Sequence, residues 1–322
     1  MSSPTLNALV HTMRYEADGI ISVEFRPAST EVDFPAFEAG AHIDLHLPNG
    51  LVRSYSLCNP PSDRQRYVVA VLNDRQSRGG SRYVHQQLRV GATLPISAPR
   101  NNFKLDEGAA RTVLVARGIG VTPIWCMLQR LAAIGRPVEM FYCARTRKEA
   151  AFRETIAAFA AQQSVPLTWH FDDEQGAPPN LAGLLAGKGA DSHYYCCGSA
   201  PMLDSFEKSC EQLGYPHVHI ERFAAVHVEA PAATGSFVVE CAKSGKSVEV
   251  PPGKSILDSL IDAGLNLDHS CKEGVCGACE TKVISGEVDH RDGILTKAEQ
   301  AANKTMMICV SGCKRGPLVL DI

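Results

Sequence analysis

Residues 270–279 read Ser-Cys-Lys-Glu-Gly-Val-Cys-Gly-Ala-Cys, and one more cysteine follows at position 309. Three thiols share this short segment and the fourth comes from a distant one. This spacing is typical of four thiolates that hold a [2Fe–2S] cluster. The predicted metal ligands are Cys271, Cys276, Cys279 and Cys309. A structural zinc site and a chance grouping of packed cysteines are the alternatives, but zinc sites usually use two separate pairs of close cysteines.

Small residues between the cysteines fit a loop around a cluster. Gly274, Gly277 and Ala278 let the backbone approach the inorganic sulfides closely. The chain has twelve cysteines in all, and most of the others lie in apolar runs, where a cysteine behaves as a small hydrophobic residue. The first residues lack the pattern of a secretion signal, so we do not expect a disulfide framework.

Composition sets the broad class of the protein. The chain has 322 residues, of which 45% are hydrophobic, and its mean hydropathy is -0.08. This length predicts two to three domains, and this composition excludes a disordered or collagen-like chain. No run of 18 apolar residues occurs, which predicts a soluble cytoplasmic protein without a membrane partner. A net charge of -3 argues against nucleic acid as a partner.

Hydrophobic patterning divides the chain into blocks. The first block alternates apolar and polar residues between Pro and Gly turns, which predicts an antiparallel β-barrel. The second alternates apolar strands with helical stretches, which predicts an α/β domain with a parallel sheet. A segment rich in Ala and Pro then predicts a linker before an α+β domain. The predicted boundaries are 1–105, 106–225, 226–235 and 236–322.

The second block carries the clearest alternation. Its predicted strands are Thr112–Ala116, Val138–Cys143, Pro166–Phe171 and His193–Cys197. The predicted helices lie near 122–134, 147–162 and 201–213. In open parallel sheets, ligands bind beyond the carboxyl ends of the strands.

A basic stretch lies in the first block. Residues 64–104 contain eight Lys or Arg residues and a single acid, Asp74. This charge predicts an anion site, with a solvated basic face as the alternative. Within the stretch, Ser77-Arg78-Gly79-Gly80-Ser81 precedes a predicted helix at 83–88, where free N–H groups attract an anion.

Several motifs together resemble one family. Residues 270–279, 285–292, 309–311 and 318–321 look like the C-terminal ferredoxin domain of phthalate dioxygenase reductase. That family lies in the ferredoxin reductase superfamily and includes the vanillate O-demethylase reductases. Its domain order is flavin barrel, nicotinamide domain and ferredoxin domain, so the resemblance covers essentially the whole chain. It implies a β-grasp-like fold for residues 236–322.

The resemblance also implies a flavin site. Arg53-Ser54-Tyr55-Ser56 is similar to the superfamily's R-x-Y-S signature. Tyr55 offers a planar surface, Ser56 a hydroxyl near the flavin N5, and Arg53 a cation for the phosphate. Further residues that the resemblance places at the flavin are Val71, Leu72, Gly79, Gly80 and Ser81. The family resemblance favours FMN over FAD.

Residues 117–123, Arg-Gly-Ile-Gly-Val-Thr-Pro, resemble the superfamily's G-G-x-G-x-T-P nucleotide motif. The residues carried over are Gly118, Gly120, Thr122 and Pro123. Arg117 stands where the motif has its first glycine. It could bind the pyrophosphate, pair with a carboxylate, or be a tolerated surface residue.

A second nucleotide element follows at the end of the last predicted strand. Cys197-Gly198 corresponds to the superfamily's cysteine beside the nicotinamide C4, and Phe223 to an aromatic residue near the flavin. The candidate catalytic residues are therefore Ser56 and Cys197. Basic residues at 145–148 could accept the 2′-phosphate of NADPH, whereas the family mostly uses NADH. The choice stays open, with NADH favoured.

The sequence thus predicts an electron-transfer reductase. Electrons would pass from NAD(P)H through flavin to the [2Fe–2S] cluster, because flavin converts a two-electron donor into single-electron steps. The resemblance implies that the acceptor is a terminal Rieske-type oxygenase, such as an aromatic-ring dioxygenase or O-demethylase. A stand-alone flavin reductase or diaphorase and a non-enzymatic redox sensor are the alternatives.

Overall fold

The structure is a computed structural model that describes residues 5–29, 32–75, 77–223 and 235–322. Contacts divide the chain into two compact units. The first unit is Pro4–Phe223, and the second contains Ala224–Ile322. Each unit is described by itself below.

An antiparallel sheet begins the first unit. Its strands, in chain order, are β1 (Thr5–Ala17), β2 (Ile20–Pro27), β3 (His42–His46), β4 (Val52–Ser56), β5 (Tyr67–Leu72) and β6 (Thr93–Ser97). The order across the described sheet is β4-β3-β6-β1-β2-β5. A bridge between Leu57, just after β4, and Val69 in β5 joins the two ends of this order. The sheet therefore closes into the predicted barrel.

Helix α1 (Gly80–Gln86) lies between β5 and β6. The predicted helix at 83–88 begins three residues earlier than expected, because Gly79 takes a left-handed conformation, with φ of 102°, and starts the turn. Burial of Val84 in the barrel core anchors the helix.

A parallel sheet forms the rest of the first unit. Its strands are β7 (Arg111–Arg117), β8 (Val138–Ala144), β9 (Leu167–Phe171), β10 (Ser192–Cys197) and β11 (Val218–Glu221). Its helices are α2 (Val121–Ala133), α3 (Arg153–Gln162), α4 (Asp172–Gln175), α5 (Leu181–Leu185) and α6 (Ala200–Gln212). The order β11-β10-β7-β8-β9 confirms the parallel α/β fold and the four predicted strands.

Two details of this sheet differ from the sequence prediction. The fifth strand, β11, is short and only half-buried, so it lacks the apolar run that marks the others. The predicted helix at 147–162 begins only at Arg153. Residues 147–149 form a separate 3₁₀ turn, and Phe152 has φ of 57°, a left-handed conformation that a continuous helix does not contain.

The core is continuous across the predicted boundary at residue 105. Barrel residues and parallel-sheet residues belong to one cluster of buried apolar side chains. Polar contacts also join them: the Gln129 amide on α2 donates to the Cys58 carbonyl at 2.9 Å, and the Cys126 thiol to the Asn59 carbonyl at 3.3 Å. The domain boundaries therefore stay predictions, with barrel and sheet packed as one unit.

The second unit is a mixed sheet with helices. Its elements are β12 (Phe237–Cys241), β13 (Lys246–Val250), α7 (Ile256–Asp262), β14 (Glu280–Asp289), α8 (Lys297–Ala302), β15 (Thr305–Met307) and β16 (Gly312–Leu320). The described strands have the order β13-β12-β16-β14-β15, and only β12 and β16 pair in parallel. This α+β arrangement agrees with the predicted fold class. Positions 226–234 of the predicted linker lie outside the described residues.

None of the described helices is long and apolar enough to cross a membrane.

Candidate functional site

The two parts of the predicted flavin phosphate site come together at Arg53 and Gly80. A Cβ atom on Gly80 would lie 2.5 Å from the Cγ of Arg53, so the arginine stem rests directly on the glycine backbone. Arg53 also donates from Nη1 to the carbonyl of Val52 at 2.8 Å. A glycine at position 80 therefore places a cation beside the start of α1, as a phosphate site requires.

The loop before α1 is held by its own hydroxyl groups. Ser77 Oγ accepts from the N–H of Gly79 at 3.2 Å and from that of Arg82 at 3.4 Å. Ser81 Oγ accepts from the N–H of Asp74 at 3.3 Å. These bonds shape the segment that the sequence assigns to the phosphate.

Strand β4 presents the R-x-Y-S residues. Tyr55 is half-exposed in its strand, and burial of its hydroxyl raises its pKa to about 12. The Ser54 hydroxyl is already used, because it donates to Asp44 Oδ1 at 2.6 Å. On β5, Val71 is buried and Leu72 is 38% exposed. Strand β4 therefore presents the Tyr55 ring beside Arg53, whereas the Ser54 hydroxyl stabilises the barrel through its bond to Asp44.

Three side chains converge where the barrel meets the parallel sheet. Ser56 Oγ donates to Glu221 Oε2 at 3.4 Å, which joins β4 to β11. Glu221 pairs in parallel register with Cys197 of β10. The Ser56–Glu221 bond and the Glu221–Cys197 pairing lie at the carboxyl end of the parallel sheet, where dinucleotides bind in open parallel sheets. The two predicted catalytic residues, Ser56 and Cys197, thus lie around one carboxyl group.

Glu221 is a residue of this cluster that the sequence analysis did not single out. Burial raises the pKa of Glu221 to about 8, and the Ser56 hydrogen bond offsets only part of this effect. Burial likewise raises the pKa of the Cys197 thiol well above its usual range. Both groups are therefore neutral at pH 7, so a nucleophilic thiolate is not available at this site. The signal that could have found Glu221 is its position just before Arg222 and Phe223, at the end of the short strand β11.

The two nucleotide loops touch at Gly120. A Cβ atom there would lie 2.2 Å from the carbonyl oxygen of Cys197 and 2.7 Å from the N of Gly198. Similarly, a Cβ on Gly198 would lie 2.9 Å from the Cβ of Arg117. Glycines at 120 and 198 therefore allow the ends of β7 and β10 to meet.

Other predicted nucleotide residues have distinct environments. Thr122 is buried, and its hydroxyl donates to the Ile119 carbonyl at 3.1 Å. Pro123 is buried in the first turn of α2, and Gly118 has φ of 53° with open space around it. Phe223 is 39% exposed, and its placement near a flavin stays a prediction.

Arg117, the departure from the motif, is paired with a carboxylate. Its guanidinium makes two hydrogen bonds to Asp172, with Nη1–Oδ1 at 3.2 Å and a second from Nη2 to Oδ2. Both side chains are mostly buried, at 16% and 19% exposure. Of the three alternatives for Arg117, the structure therefore has the carboxylate pair.

Two arginines after β8 are also paired. Arg145 Nε lies 3.1 Å from Glu149 Oε2. Arg147 forks onto Glu174, with Nη2–Oε2 at 2.9 Å, and its guanidinium carbon lies 4.7 Å from the ring centre of Phe171. The arginines that could accept a 2′-phosphate therefore already hold carboxylates.

The four predicted metal ligands meet in the second unit as two pairs. Cys271 and Cys276 are neighbours, and the nearby Cys271 sulfur raises the pKa of the Cys276 thiol. Cys279 lies beside Cys309 and raises the pKa of the Cys309 thiol in the same way. A [2Fe–2S] cluster needs two thiolates on each iron, so this pairing fits such a cluster.

Backbone amides also point at the sulfur atoms. The N–H of Glu273 donates to Cys271 Sγ at 3.3 Å, and that of Cys271 to Cys276 Sγ at 3.5 Å. Such bonds stabilise thiolates and tune the reduction potential of clusters. Gly274 and Gly277 have φ of 69° and 70°, which permits this tight loop.

Neighbouring segments hold the cluster loop in place. The Gly293 N–H donates to the Gly274 carbonyl at 3.0 Å. Lys272 Nζ contacts Asp258 Oδ1 of α7 at 2.8 Å. Among the predicted ligands, Cys271 is partly exposed and the other three are buried. The loop therefore brings one ligand close to the surface of its unit, where an electron can leave.

Comparisons with known proteins agree with this arrangement. Residues 239–314 match the "2Fe-2S iron-sulfur cluster binding domain" family. Residues 96–220 match "Dimethylamine monooxygenase subunit DmmA-like, N-terminal domain". The chain is 44% identical to the phenoxybenzoate dioxygenase subunit beta of Ectopseudomonas oleovorans, over 97% of this chain and 96% of that one.

A solved structure covers both units. Phthalate dioxygenase reductase, described as a modular structure for electron transfer from pyridine nucleotides to [2Fe–2S], is 34% identical, with a TM-score of 0.72. The match covers 99% of this chain and 98% of that one. The chain belongs to the phthalate dioxygenase reductase family. This confirms the resemblance and the multi-domain fold that the sequence predicts.

Members of the phthalate dioxygenase reductase family include oxidoreductases with different acceptors in their names. The chain is 45% identical to the tetrachlorobenzoquinone reductase of Sphingobium chlorophenolicum, over 100% of both chains. Membership in the family supports an oxidoreductase with a [2Fe–2S] ferredoxin domain and a flavin-binding reductase fold. The matched ferredoxin range contains all four paired cysteines.

Proposed function

We propose that this protein is the reductase component of a two-component Rieske-type oxygenase and passes electrons from NADH through FMN to its [2Fe–2S] cluster. The observation that carries the proposal is the two-by-two pairing of the cluster thiols on a chain that also brings Ser56, Cys197 and Glu221 together. A stand-alone flavin reductase would need only the second feature. The residues of both sites fit the groups that the family implies.

The bound flavin supplies the conversion between a two-electron donor and one-electron acceptors, and the cluster supplies one-electron transfer. The protein orients these reactants. In this proposal Ser56 donates a hydrogen bond to Glu221, and Cys197 lines the site with a neutral thiol. The neutral Glu221 carboxyl places no negative charge where a bound flavin would accept hydride. Tyr55 and Arg53 hold the flavin ring and phosphate in this proposal.

The domain organisation is proposed as the sequence predicts it. Residues 1–105 bind the flavin, 106–225 bind the nucleotide, and 236–322 hold the cluster. The cluster residues and Pro4–Phe223 belong to different compact units, which supports a separate cluster domain at the C-terminal end.

Electron delivery to an oxygenase tests the proposed function. We expect NADH-dependent turnover by a purified Rieske-type oxygenase for an aromatic acid or methyl ether only when this protein is present. Cytochrome c serves as a positive control for one-electron output. Rapid reduction of quinones or free flavin, without any delivery to such oxygenases, would contradict the proposal and favour a stand-alone reductase.

Arg53→Ala is expected to weaken flavin retention by at least about tenfold, because a charge-assisted bond to phosphate contributes roughly 1.5–3 kcal/mol. The dissociation constant for FMN, measured by fluorescence, checks this result. Arg89→Ala is a matched control within the same basic stretch, since Arg89 donates to the nearby carbonyls of Leu88 and Gln86. Chromatography of the flavin released from wild type identifies it, and stoichiometric FAD would contradict the FMN proposal.

Glu221→Gln is expected to remove a pH dependence of flavin reduction by NADH. Because burial raises the pKa of Glu221 to about 8, the wild-type carboxyl is neutral below that pH and charged above it. The charged form opposes hydride arrival, so the wild-type rate constant falls as pH rises through about 8, by about tenfold or about 1.4 kcal/mol. Stopped-flow traces between about pH 6 and pH 10 check this.

The glutamine variant keeps a neutral side chain at every pH, so its rate constant should stay level over the same range. Glu211→Gln, on an exposed residue of α6, controls for the loss of one carboxylate. An identical fall in wild type and Glu221→Gln would assign the pH dependence to another group.

A further inference from the structure

A buried histidine and a buried carboxylate lie in the loop that follows β14. The exposed fraction of the side chain is 7% for His290 and 0% for Asp292. His290 Nδ1 lies 3.6 Å from Asp292 Oδ1, which is too long for a hydrogen bond. Among the described residues, no hydrogen-bond partner reaches either ring nitrogen of His290 or Oδ1 of Asp292. Because buried polar groups without partners cost stability, their presence at one place calls for a functional reason.

Asp292 lies directly against the backbone of the cluster loop. A Cβ atom on Gly274, in the middle of that loop, would lie 3.2 Å from the Cα and 3.3 Å from the Cβ of Asp292. It would also lie 2.6 Å from Cγ2 of Val310, the residue after Cys309. The Gly293 N–H donates to the Gly274 carbonyl and holds the two loops together. The carboxylate is therefore behind the segment that carries the cluster ligands.

The orientation of Asp292 is fixed by its other oxygen. Asp292 Oδ2 accepts from the N–H of Ile294 at 3.2 Å and from that of Leu295 at 2.8 Å. The adjacent cation, Arg291, is held elsewhere, since its Nε donates to Asp289 Oδ2 at 2.7 Å. The neighbouring arginine therefore pairs with a different carboxylate, and the charge of Asp292 stays behind the cluster loop.

A buried charge at this place acts on the reduction potential. The effective dielectric constant near buried groups is lower than that of water, so their charges act more strongly on neighbours. A cluster gains one negative charge when it accepts an electron, and a nearby carboxylate opposes that gain. Net charge, hydrogen bonds and solvent exposure are the properties that set cluster potentials.

We propose that Asp292, with His290 beside it, lowers the reduction potential of the [2Fe–2S] cluster. The step concerned is the transfer of one electron from the flavin, which is oxidised, to the cluster, which is reduced, and no bond forms or breaks. A lower potential makes the reduced cluster a stronger electron donor to its acceptor. The inference rests on the proposed function, because it concerns the cluster that delivers the electrons.

Asp292→Asn tests the proposal directly. The asparagine oxygen can still accept from the N–H groups of residues 294 and 295, so the substitution removes the charge and keeps the turn. We expect the reduction potential of the cluster in the full chain to rise by at least about 59 mV, which is a tenfold change in a one-electron equilibrium. A redox titration followed by electron paramagnetic resonance measures the potential, and an unaltered line shape verifies that the cluster is intact.

Asp262→Asn is the matched charge control. Asp262 lies on α7 of the same unit, pairs with Lys254 and is 67% exposed, so water and salt screen its charge. Its removal should leave the potential near the wild-type value. Asp292→Ser is a second charge-removing variant, whose hydroxyl can accept from the same N–H groups. This variant should also raise the potential, and it decides the matter if Asp292→Asn does not retain its cluster.

The outcomes separate the inference from the proposed function. A potential at or below the wild-type value in Asp292→Asn would overturn the inference and leave Asp292 as a structural residue of its loop. Equal upward shifts in Asp292→Asn and Asp262→Asn would overturn it as well. A wild-type cluster that accepts electrons but delivers none to a Rieske-type oxygenase would instead overturn the proposed function.

Discussion

Cys276→Ser is expected to lower the rate of electron delivery to a terminal oxygenase or to cytochrome c by at least about a hundredfold, which corresponds to about 2.7 kcal/mol or more. The serine oxygen is a poor substitute for a soft thiolate, and Cys276 is one half of the Cys271–Cys276 pair. Visible absorption and electron paramagnetic resonance of the purified variant should show loss or alteration of the cluster signal.

Flavin reduction by NADH should stay near the wild-type rate in this variant, because the flavin residues belong to Pro4–Phe223 and the cluster residues to the second unit. Cys313→Ser is the matched control. Cys313 is partly exposed, unlike the buried Cys276, and lies close in sequence to Cys309 but outside the two thiol pairs. Loss of bound flavin in Cys276→Ser would contradict this division of the cofactors.

Gly120→Ala is expected to lower kcat/KM for NADH by at least about a hundredfold. The added Cβ would lie 2.2 Å from the carbonyl oxygen of Cys197, a backbone atom that cannot rotate away. To relieve this contact, the ends of β7 and β10 would have to move apart, which would shift Cys197 away from Glu221. Steady-state kinetics with NADH and ferricyanide measure the effect.

Gly118→Ala provides a close comparison, since a Cβ at that position would meet open space. Its φ of 53° imposes only the left-handed strain of a non-glycine residue, about 1 kcal/mol. We therefore expect a much smaller loss of activity. Equal losses in the two variants would mean that the contact with Cys197 is not what makes glycine necessary at position 120, because the φ of Gly120 is an ordinary -61°.

Local patterns predicted much of the fold and of the metal site. Three of the four predicted cluster ligands lie within nine consecutive residues, 271–279, so their spacing alone indicates a cluster loop. The strands β7, β8 and β10 are almost fully buried, and continuous apolar runs mark such strands.

Contacts between distant residues were not accessible from sequence. Glu221 is 165 residues from Ser56, and it lies on a half-buried strand without periodicity. Asp172 is 55 residues from Arg117, so the carboxylate partner could be named only once the order of the strands was known. The interruption at Phe152 is a single left-handed residue inside a sequence of good helix formers, which periodicity does not detect.

The position of Glu221 on β11 has a consequence for the order of events during synthesis. Barrel residues such as Ser56 leave the ribosome early, whereas Glu221 comes from the last strand of Pro4–Phe223. Domains fold as units while the chain is still being made. The emerging protein therefore acquires its buried carboxyl last, just before the cluster-binding unit follows.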